Sequence, residues 1–196
     1  MGLSLPLWPT IFYLPLALCF YYFLLAGART FEIRPEDDTS SGIAQFSFFV
    51  TGLLGTIALG YRSQVSTLNA IAGGALMACA LALYEWARHT IAGRRFHIAW
   101  SGAVPGEVCE AGPYRYVRHP VYASYVIAFA ALIAAMPSAW SVAIFALNAA
   151  LFTHAAFDDE RSLARSELAA DYARYRRATG MFVPRLVRKP AGRRGG

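Results

Sequence analysis

One long stretch without charged residues constrains the fold of this chain more than any other feature. Residues 121–157 contain no Asp, Glu, Lys or Arg. A membrane helix needs about 20 apolar residues to cross the bilayer core, so this stretch is too long for one span and long enough for two. Met-Pro-Ser at 136–138 supplies a break, because proline disfavours helix at the residue before it. We predict a helical hairpin with spans at 120–136 and 138–156, and the alternative is a single long kinked helix.

Three further apolar stretches predict membrane helices at 3–28, 42–61 and 67–87. The whole sequence is 57% hydrophobic and 15% charged, whereas a soluble domain carries roughly 25% charged residues. No basic residue precedes the first stretch, so a cleaved signal peptide is not predicted. The third stretch contains Gly73 and Gly74, which would permit close helix packing. We therefore predict one all-α integral membrane domain over 1–196, with five transmembrane helices.

The distribution of basic residues predicts the orientation of those five helices. With five spans, only Arg62 of the 18 Lys and Arg residues lies on the side of the N-terminus. The rest lie in the first loop, the third loop, the C-terminal tail and the adjacent helix ends. Positively charged loops stay in the cytoplasm. We expect an inner-membrane protein of bacterial type with its N-terminus outside, and with the 88–119 loop and the 157–196 segment in the cytoplasm.

The 88–119 loop ends in the most informative motif of the chain, Gly-Pro-Tyr-Arg-Tyr-Val-Arg-His-Pro at 112–120. Pro120 would occupy the first turn of the fourth span, where no backbone donor is lost. Arg118 and His119 would then lie at the positive end of the helix dipole, which suits an anionic ligand. The alternative is that the arginines are positive-inside anchors and the tyrosines belong to an interfacial aromatic belt.

The segment 157–178 has the periodicity of one amphipathic helix. Spacings of three or four residues place six side chains on one face, namely Phe157, Glu160, Ala164, Leu168, Tyr172 and Tyr175. Arginines occupy another face. A carboxylate in line with two tyrosines is unusual for a plain interfacial helix, so we predict that this helix contributes to a cytoplasmic site. The alternative is an interfacial helix whose arginines meet anionic lipid head groups.

The sequence lacks the motifs that identify several other kinds of functional site. The sequence contains no P-loop, no HExxH, no Gly-x-Ser-x-Gly and no GxGxxG between a strand and a helix. His154 and Asp158 are four residues apart, but two candidate ligands do not make a metal site, so no metal is predicted. The basic excess follows membrane sidedness and no nucleic-acid reader motif is present, so no nucleic-acid partner is predicted.

The motif and the residues that follow it resemble the isoprenylcysteine carboxyl methyltransferase family of membrane enzymes. The resemblance runs from Val108 to Arg185 and rests on Arg-His-Pro-x-Tyr, a downstream acid pair, Tyr-x-x-Tyr and Val-Pro-Arg. It implies a cytoplasmic pocket that holds S-adenosylmethionine without a Rossmann fold. The implied cofactor-binding residues are Tyr116, Val117, Arg118, His119, Pro120, Tyr122, Glu160, Tyr172 and Tyr175.

The chain departs from the family pattern at two places. The family carries two glutamates where this chain has Asp159-Glu160, and often Phe-Gly where this chain has Glu-Leu-Ala-Ala at 167–170. These departures bear on the substrate more than on the cofactor.

The methyl acceptor is left open by the sequence. Arg176 and Arg177 follow the tyrosine pair, where the family pattern also has basic residues. We predict that at least one of them orients an anionic head group, most simply a carboxylate. The acceptor would be a lipophilic small molecule or a prenylated protein, among membrane lipids. Alternatives are N- or S-methylation of a phospholipid or small molecule, an NADPH-dependent reductase of the sterol-reductase type, and a non-catalytic membrane scaffold.

Overall fold

In the described part of the computed structural model, all regular secondary-structure elements are helices. The structure describes residues 15–23, 25–26, 50–52, 54–55, 66–92 and 107–185. Its principal helices are α1 (Thr67–Ile91), α2 (Pro120–Ala135), α3 (Ala139–Ala164) and α4 (Ala169–Ala178), and a short 3-10 turn covers Gly112–Arg115. No strand occurs within these ranges, so the all-α class predicted from the sequence is confirmed for them.

The predicted helical hairpin is present. α2 ends at Ala135 and α3 begins at Ala139, with the Met-Pro-Ser break between them. Ser138 caps α3 through a reciprocal pair of hydrogen bonds with Ser141, which satisfies two backbone donors that the helix leaves free at its start. Pro120 occupies the first position of α2, as predicted from its missing N–H.

Among the described residues, two helices, α1 and α3, are long and apolar enough to cross a bilayer, and the shorter α2 is also apolar. α1 continues to Ile91, beyond the predicted end of its span at 87. Most of the predicted spans at 3–28 and 42–61 lies outside the described residues, although the parts that are described are helical. The count of five spans therefore stays a prediction.

Small residues allow α1 and α2 to pack closely. A Cβ atom added to Gly73 would lie 2.5 Å from the Cβ of Ala135 and 3.0 Å from the carbonyl oxygen of Ala131. The same addition at Gly74 would meet nothing within 4 Å. Close backbone approach is a common basis of helix association in membranes. The prediction of close packing is thus confirmed for Gly73, while Gly74 faces outward.

The predicted continuous helix over 157–178 is wrong. α3 ends at Ala164 and α4 begins at Ala169. In the turn between them, the Ser166 hydroxyl donates to the Leu163 carbonyl and accepts from the Leu168 amide. Such local side-chain bonds replace the hydrogen bonds of a continuing helix. As a result, Glu160 and the two tyrosines lie on two different helices.

Candidate functional site

The motif loop is joined to the chain segment that follows α4. We call residues 179–182 the strap. The amide of Arg118 donates to the Gly180 carbonyl at 2.8 Å, and the amide of His119 donates to the Met181 carbonyl at 3.1 Å. The Gly180 amide donates in return to the Tyr116 carbonyl at 3.2 Å, which forms an isolated parallel bridge between Val117 and Gly180. These backbone bonds hold the strap beside the start of α2.

Glu160 lies at the centre of the site. Its side chain is only 3% exposed, and the Nε of Arg118 donates to its Oε1 at 2.7 Å. The Nε2 of His119 lies 3.4 Å from the same oxygen. The Nε of Arg176 lies 3.3 Å from the other oxygen, Oε2. One buried carboxylate is therefore surrounded by two arginines and a histidine, and buried charges of this kind are stable only when paired.

These neighbours keep Glu160 ionised. The residue lies in the polar end of α3, beyond the uncharged stretch that ends at 157. Burial acts to raise the pKa of its carboxyl, but the close approach of His119 and the hydrogen bond and charge of Arg118 outweigh burial and lower the pKa to about 2. Hydrogen bonds to the charged form favour ionisation. At neutral pH the centre of the site is a carboxylate.

Arg118 is occupied by protein groups. Besides Glu160, its Nη1 donates to the carbonyl of Thr179 at 2.5 Å and to the carbonyl of Arg176 at 3.3 Å. These carbonyls lie at the C-terminal end of α4, where arginine side chains satisfy the last helical acceptors. With its side chain 8% exposed, Arg118 acts here as a clamp that joins the motif loop, α3, α4 and the strap.

The ring of His119 is held between aromatic side chains. It stacks nearly parallel on Tyr122, with ring centroids 5.5 Å apart, and the ring of Phe182 from the strap lies 6.2 Å away at a tilt. The Tyr122 hydroxyl donates to Oδ2 of Asp159 at 2.9 Å. His119 Nε2 is buried and makes no hydrogen bond with the described residues. Its imidazole is thus fixed in orientation, and Nε2 has only the 3.4 Å approach to Glu160 Oε1.

The two tyrosines of α4 have different surroundings. The Tyr175 hydroxyl donates to the carbonyl of Tyr114 at 2.7 Å, which ties α4 to the 3-10 turn. The Tyr172 hydroxyl is buried and without a hydrogen-bond partner among the described residues. Burial raises the pKa of Tyr172, and the charge of Glu160 raises it further. Tyr172 therefore stays protonated at neutral pH and can donate a hydrogen bond.

A partly open pocket of about 440 Å³ lies next to residues that surround the carboxylate. Alanines form its apolar wall and arginines its charged rim, and its lining consists of Ala164, Ala169, Tyr172, Ala173, Arg176, Arg177 and Arg185. Small-molecule pockets occupy roughly 300–1,000 Å³ and combine apolar walls with a few polar groups. Tyr172 and Arg176 belong both to this pocket and to the surroundings of Glu160.

The structure brings most of the sequence-predicted site residues together. The group around the carboxylate consists of Arg118, His119, Tyr122, Glu160, Tyr172 and Arg176. Val117 and Pro120 are buried beside it and act through the backbone. Tyr116 is 50% exposed and its ring lies near Trp86, at 6.5 Å between centroids. The side chains of Tyr175 and Arg177 also do not contact Glu160, although Arg177 lines the pocket.

Sequence reasoning missed the strap and the partner of Tyr122. The sequence indicates Asp159 only as part of an acidic pair, yet its side chain accepts the hydrogen bond from the Tyr122 hydroxyl. In the strap, Phe182 and four backbone groups contact the motif loop. Gly180, a few residues before Pro184, is a turn signal that could have drawn attention to this segment.

These features define a helical protein with two helices long and apolar enough to cross a membrane in its described part. A buried cluster around an ionised carboxylate lies at one end of the α2–α3 hairpin, with a pocket next to it. The model of the isoprenylcysteine carboxyl methyltransferase (ICMT) family matches residues 74–165, and this match confirms the resemblance and supports membership of the chain in that family. The match implies a methyltransferase of the ICMT-like type. No curated protein and no solved structure matches the chain significantly.

Proposed function

We propose that this protein is an S-adenosylmethionine-dependent methyltransferase that acts at the membrane on a lipophilic acceptor with an anionic head, most simply a carboxylate. The observation that carries the proposal is the buried Glu160 carboxylate beside the pocket, with hydrogen-bonding atoms near it that no described residue satisfies. These are Glu160 Oε2, the Tyr172 hydroxyl and His119 Nε2. Unsatisfied buried polar atoms are rare and often belong to a binding site.

The residues at this place suit the proposed cofactor. S-Adenosylmethionine carries an ammonium, a carboxylate, ribose hydroxyls and an adenine. Glu160 can accept from an ammonium or a hydroxyl, and the Tyr172 hydroxyl can donate to a polar oxygen. Arg185 at the pocket rim can pair with the cofactor's carboxylate. The alanine wall offers an apolar surface to a ring system.

The chemistry asks little of the protein beyond positioning. When bound, the cofactor supplies an electrophilic methyl group on its sulfonium. A carboxylate acceptor already carries the lone pair that accepts this methyl group, so the chain needs no general base. Its contribution is to hold the two ligands in line. In favourable cases, such positioning lowers the activation free energy by about 7–11 kcal/mol. The clamp by Arg118 and the stacked ring of His119 supply such rigidity.

The acceptor's head is proposed to meet the pocket arginines. Arg176 and Arg177 both line the pocket, and a guanidinium matches the planar shape of a carboxylate. An acceptor with an apolar tail could place that tail along the apolar helices while its head reaches the rim. A preference for lipid-tailed amines over lipid-tailed carboxylates in methyl-transfer assays would instead favour phospholipid N-methylation.

The orientation in the membrane is part of this proposal. If the chain has the five predicted spans, the asymmetry of its basic residues favours a cytoplasmic C-terminus and site, on the side where the cofactor is available. Reporter fusions after Arg62 and at Gly196 are expected to report opposite sides of the inner membrane. Equal reports from both fusions would mean that the number of spans is wrong.

Cofactor binding by the purified protein is the central test. Isothermal titration in detergent is expected to show binding of S-adenosylmethionine and of its demethylated product, and no binding of NADPH. His119→Ala is expected to weaken cofactor binding at least about tenfold, equivalent to about 1.4 kcal/mol, while the protein stays folded. The exposed and salt-bridged His154 provides the matched control, since His154→Ala should leave binding unchanged.

Two results would decide against the proposal. NADPH binding without S-adenosylmethionine binding would favour a reductase. Binding of neither molecule, together with a normal melting transition, would favour a scaffold protein.

A further inference from the structure

The two oxygens of Glu160 are held very differently. Oε1 accepts a 2.7 Å hydrogen bond from Arg118, whose own side chain is almost fully buried and fixed by two further carbonyls. Oε2 has only an ion-pair contact, at 3.3 Å, from the Nε of Arg176 and no hydrogen bond within the described residues. One oxygen is therefore locked into the fold, and the other is available for exchange.

The two arginines differ in the same way. The side chain of Arg176 is 56% exposed, compared with 8% for Arg118. Arg176 also lines the 440 Å³ pocket, whereas Arg118 does not. A long side chain that is more than half exposed and makes no hydrogen bond to the carboxylate can change rotamer easily, because most of it already lies in solvent. Arg176 can reach either the carboxylate or the pocket.

We propose that Arg176 is a displaceable counter-ion of Glu160, and that a cationic ligand group takes its place at Oε2 and frees the guanidinium for an anion in the pocket. This inference rests on the proposed function, in which the cation is the cofactor's ammonium and the anion belongs to the acceptor. Oε2 and the neighbouring Tyr172 hydroxyl receive the first ligand. The released Arg176 then meets the second.

Such an exchange couples the two ligands through one carboxylate. While Arg176 pairs with Glu160, the cationic group must compete with it, and the guanidinium is less available to an anion. Each ligand then favours the other, because coupling between two sites is reciprocal in free energy. Arg118 plays no part in this exchange because its hydrogen bonds lock it to α4 and the strap.

If Arg176 competes with the cationic ligand group for Glu160, its removal should strengthen the binding of that ligand. The probe is S-adenosylhomocysteine, which does not react but keeps the ammonium. Isothermal titration in detergent is expected to show that Arg176→Ala binds this probe about 3- to 10-fold more tightly than the natural protein. This gain in affinity corresponds to about 0.7–1.4 kcal/mol of binding free energy. Arg174→Ala provides the matched control on the same helix, because Arg174 is exposed and pairs with Asp171 at 3.0 Å. This control should bind the probe with unchanged affinity.

A second probe tests the anion. N-Myristoylglycine, a lipid-tailed carboxylate, should bind the natural protein more tightly when S-adenosylhomocysteine is present, and this gain should vanish in Arg176→Ala but persist in Arg174→Ala. Equal or weaker binding of S-adenosylhomocysteine by Arg176→Ala overturns the inference, and so does a gain that persists in that variant. Absence of S-adenosylhomocysteine binding by the natural protein and both variants would instead count against the proposed function itself.

Discussion

Replacing Glu160 by alanine is expected to lower the free energy of unfolding by about 3–5 kcal/mol, because it leaves the buried guanidinium of Arg118 without its counter-charge. Arg118 cannot turn toward solvent without giving up its bonds to the carbonyls of Thr179 and Arg176. Denaturant titration in detergent measures this loss. Glu160→Gln should cost less, since an amide keeps the shape and one acceptor oxygen.

The matched control for this substitution is Asp171→Ala. Asp171 is 57% exposed and pairs with the exposed Arg174 at 3.0 Å. Such surface pairs contribute about 0–1 kcal/mol, so this variant should unfold almost like the natural protein. Comparable losses in the two variants would contradict the central role given to Glu160.

The same carboxylate makes stability depend on pH in a defined direction. The pKa of Glu160 falls from an ordinary 4.5 to about 2 in the folded protein. A group with a lowered folded pKa stabilises the fold fully above its unfolded pKa and loses that contribution as the pH falls toward the folded pKa. Stability should therefore decrease between about pH 5 and pH 2, and Glu160→Gln should lack this part of the decrease.

The sequence predicted the hairpin well because local signals agreed there. An uncharged stretch, a central Pro137 and a serine able to cap a helix all point to the same break. Pro120 at the start of α2 followed from the missing N–H of proline. These features depend on neighbouring residues only, so they can be read without knowing the fold.

The helix over 157–178 was predicted wrongly because periodicity cannot reveal a short turn. The spacing of Glu160, Ala164, Leu168 and Tyr172 continues through the break, so the pattern suits one helix as well as two. The decisive contacts come from one side chain, Ser166, whose hydroxyl closes the turn between Leu163 and Leu168. Serine forms such bonds in many contexts, so its presence alone did not identify the turn.

The roles of the two arginines also depended on the fold. In the sequence, Arg118 looked like a ligand-binding residue and Arg176 like an orienting one. Their difference lies in burial and in contacts with the strap, which arise from residues about 60 positions apart in the chain. A motif identifies which residue types meet at a site, whereas the fold decides which of them remain free to bind.

The second large effect is expected from a substitution at Gly180, in the strap. An added Cβ there would lie only 1.7 Å from the carbonyl oxygen of Val183, which is backbone and cannot move aside as a side chain can. Gly180→Ala must therefore open the turn that follows it. The bonds between Gly180 and the backbone of Tyr116 and Arg118 would be strained or lost, and with them the position of Phe182 over His119.

For Gly180→Ala we expect a loss of about 1–3 kcal/mol in unfolding free energy, typical of forced repacking. We also expect S-adenosylhomocysteine binding to weaken at least about tenfold, or about 1.4 kcal/mol, because the strap holds Arg118 and covers the imidazole of His119. Gly74→Ala is the matched control, since its Cβ meets nothing within 4 Å and alanine is the better helix former by about 1 kcal/mol. Denaturant titration and isothermal titration measure the two effects. If Gly180→Ala keeps both stability and binding at the level of Gly74→Ala, the strap does not position the site, and the clamp formed by Arg118 must act through Glu160 alone.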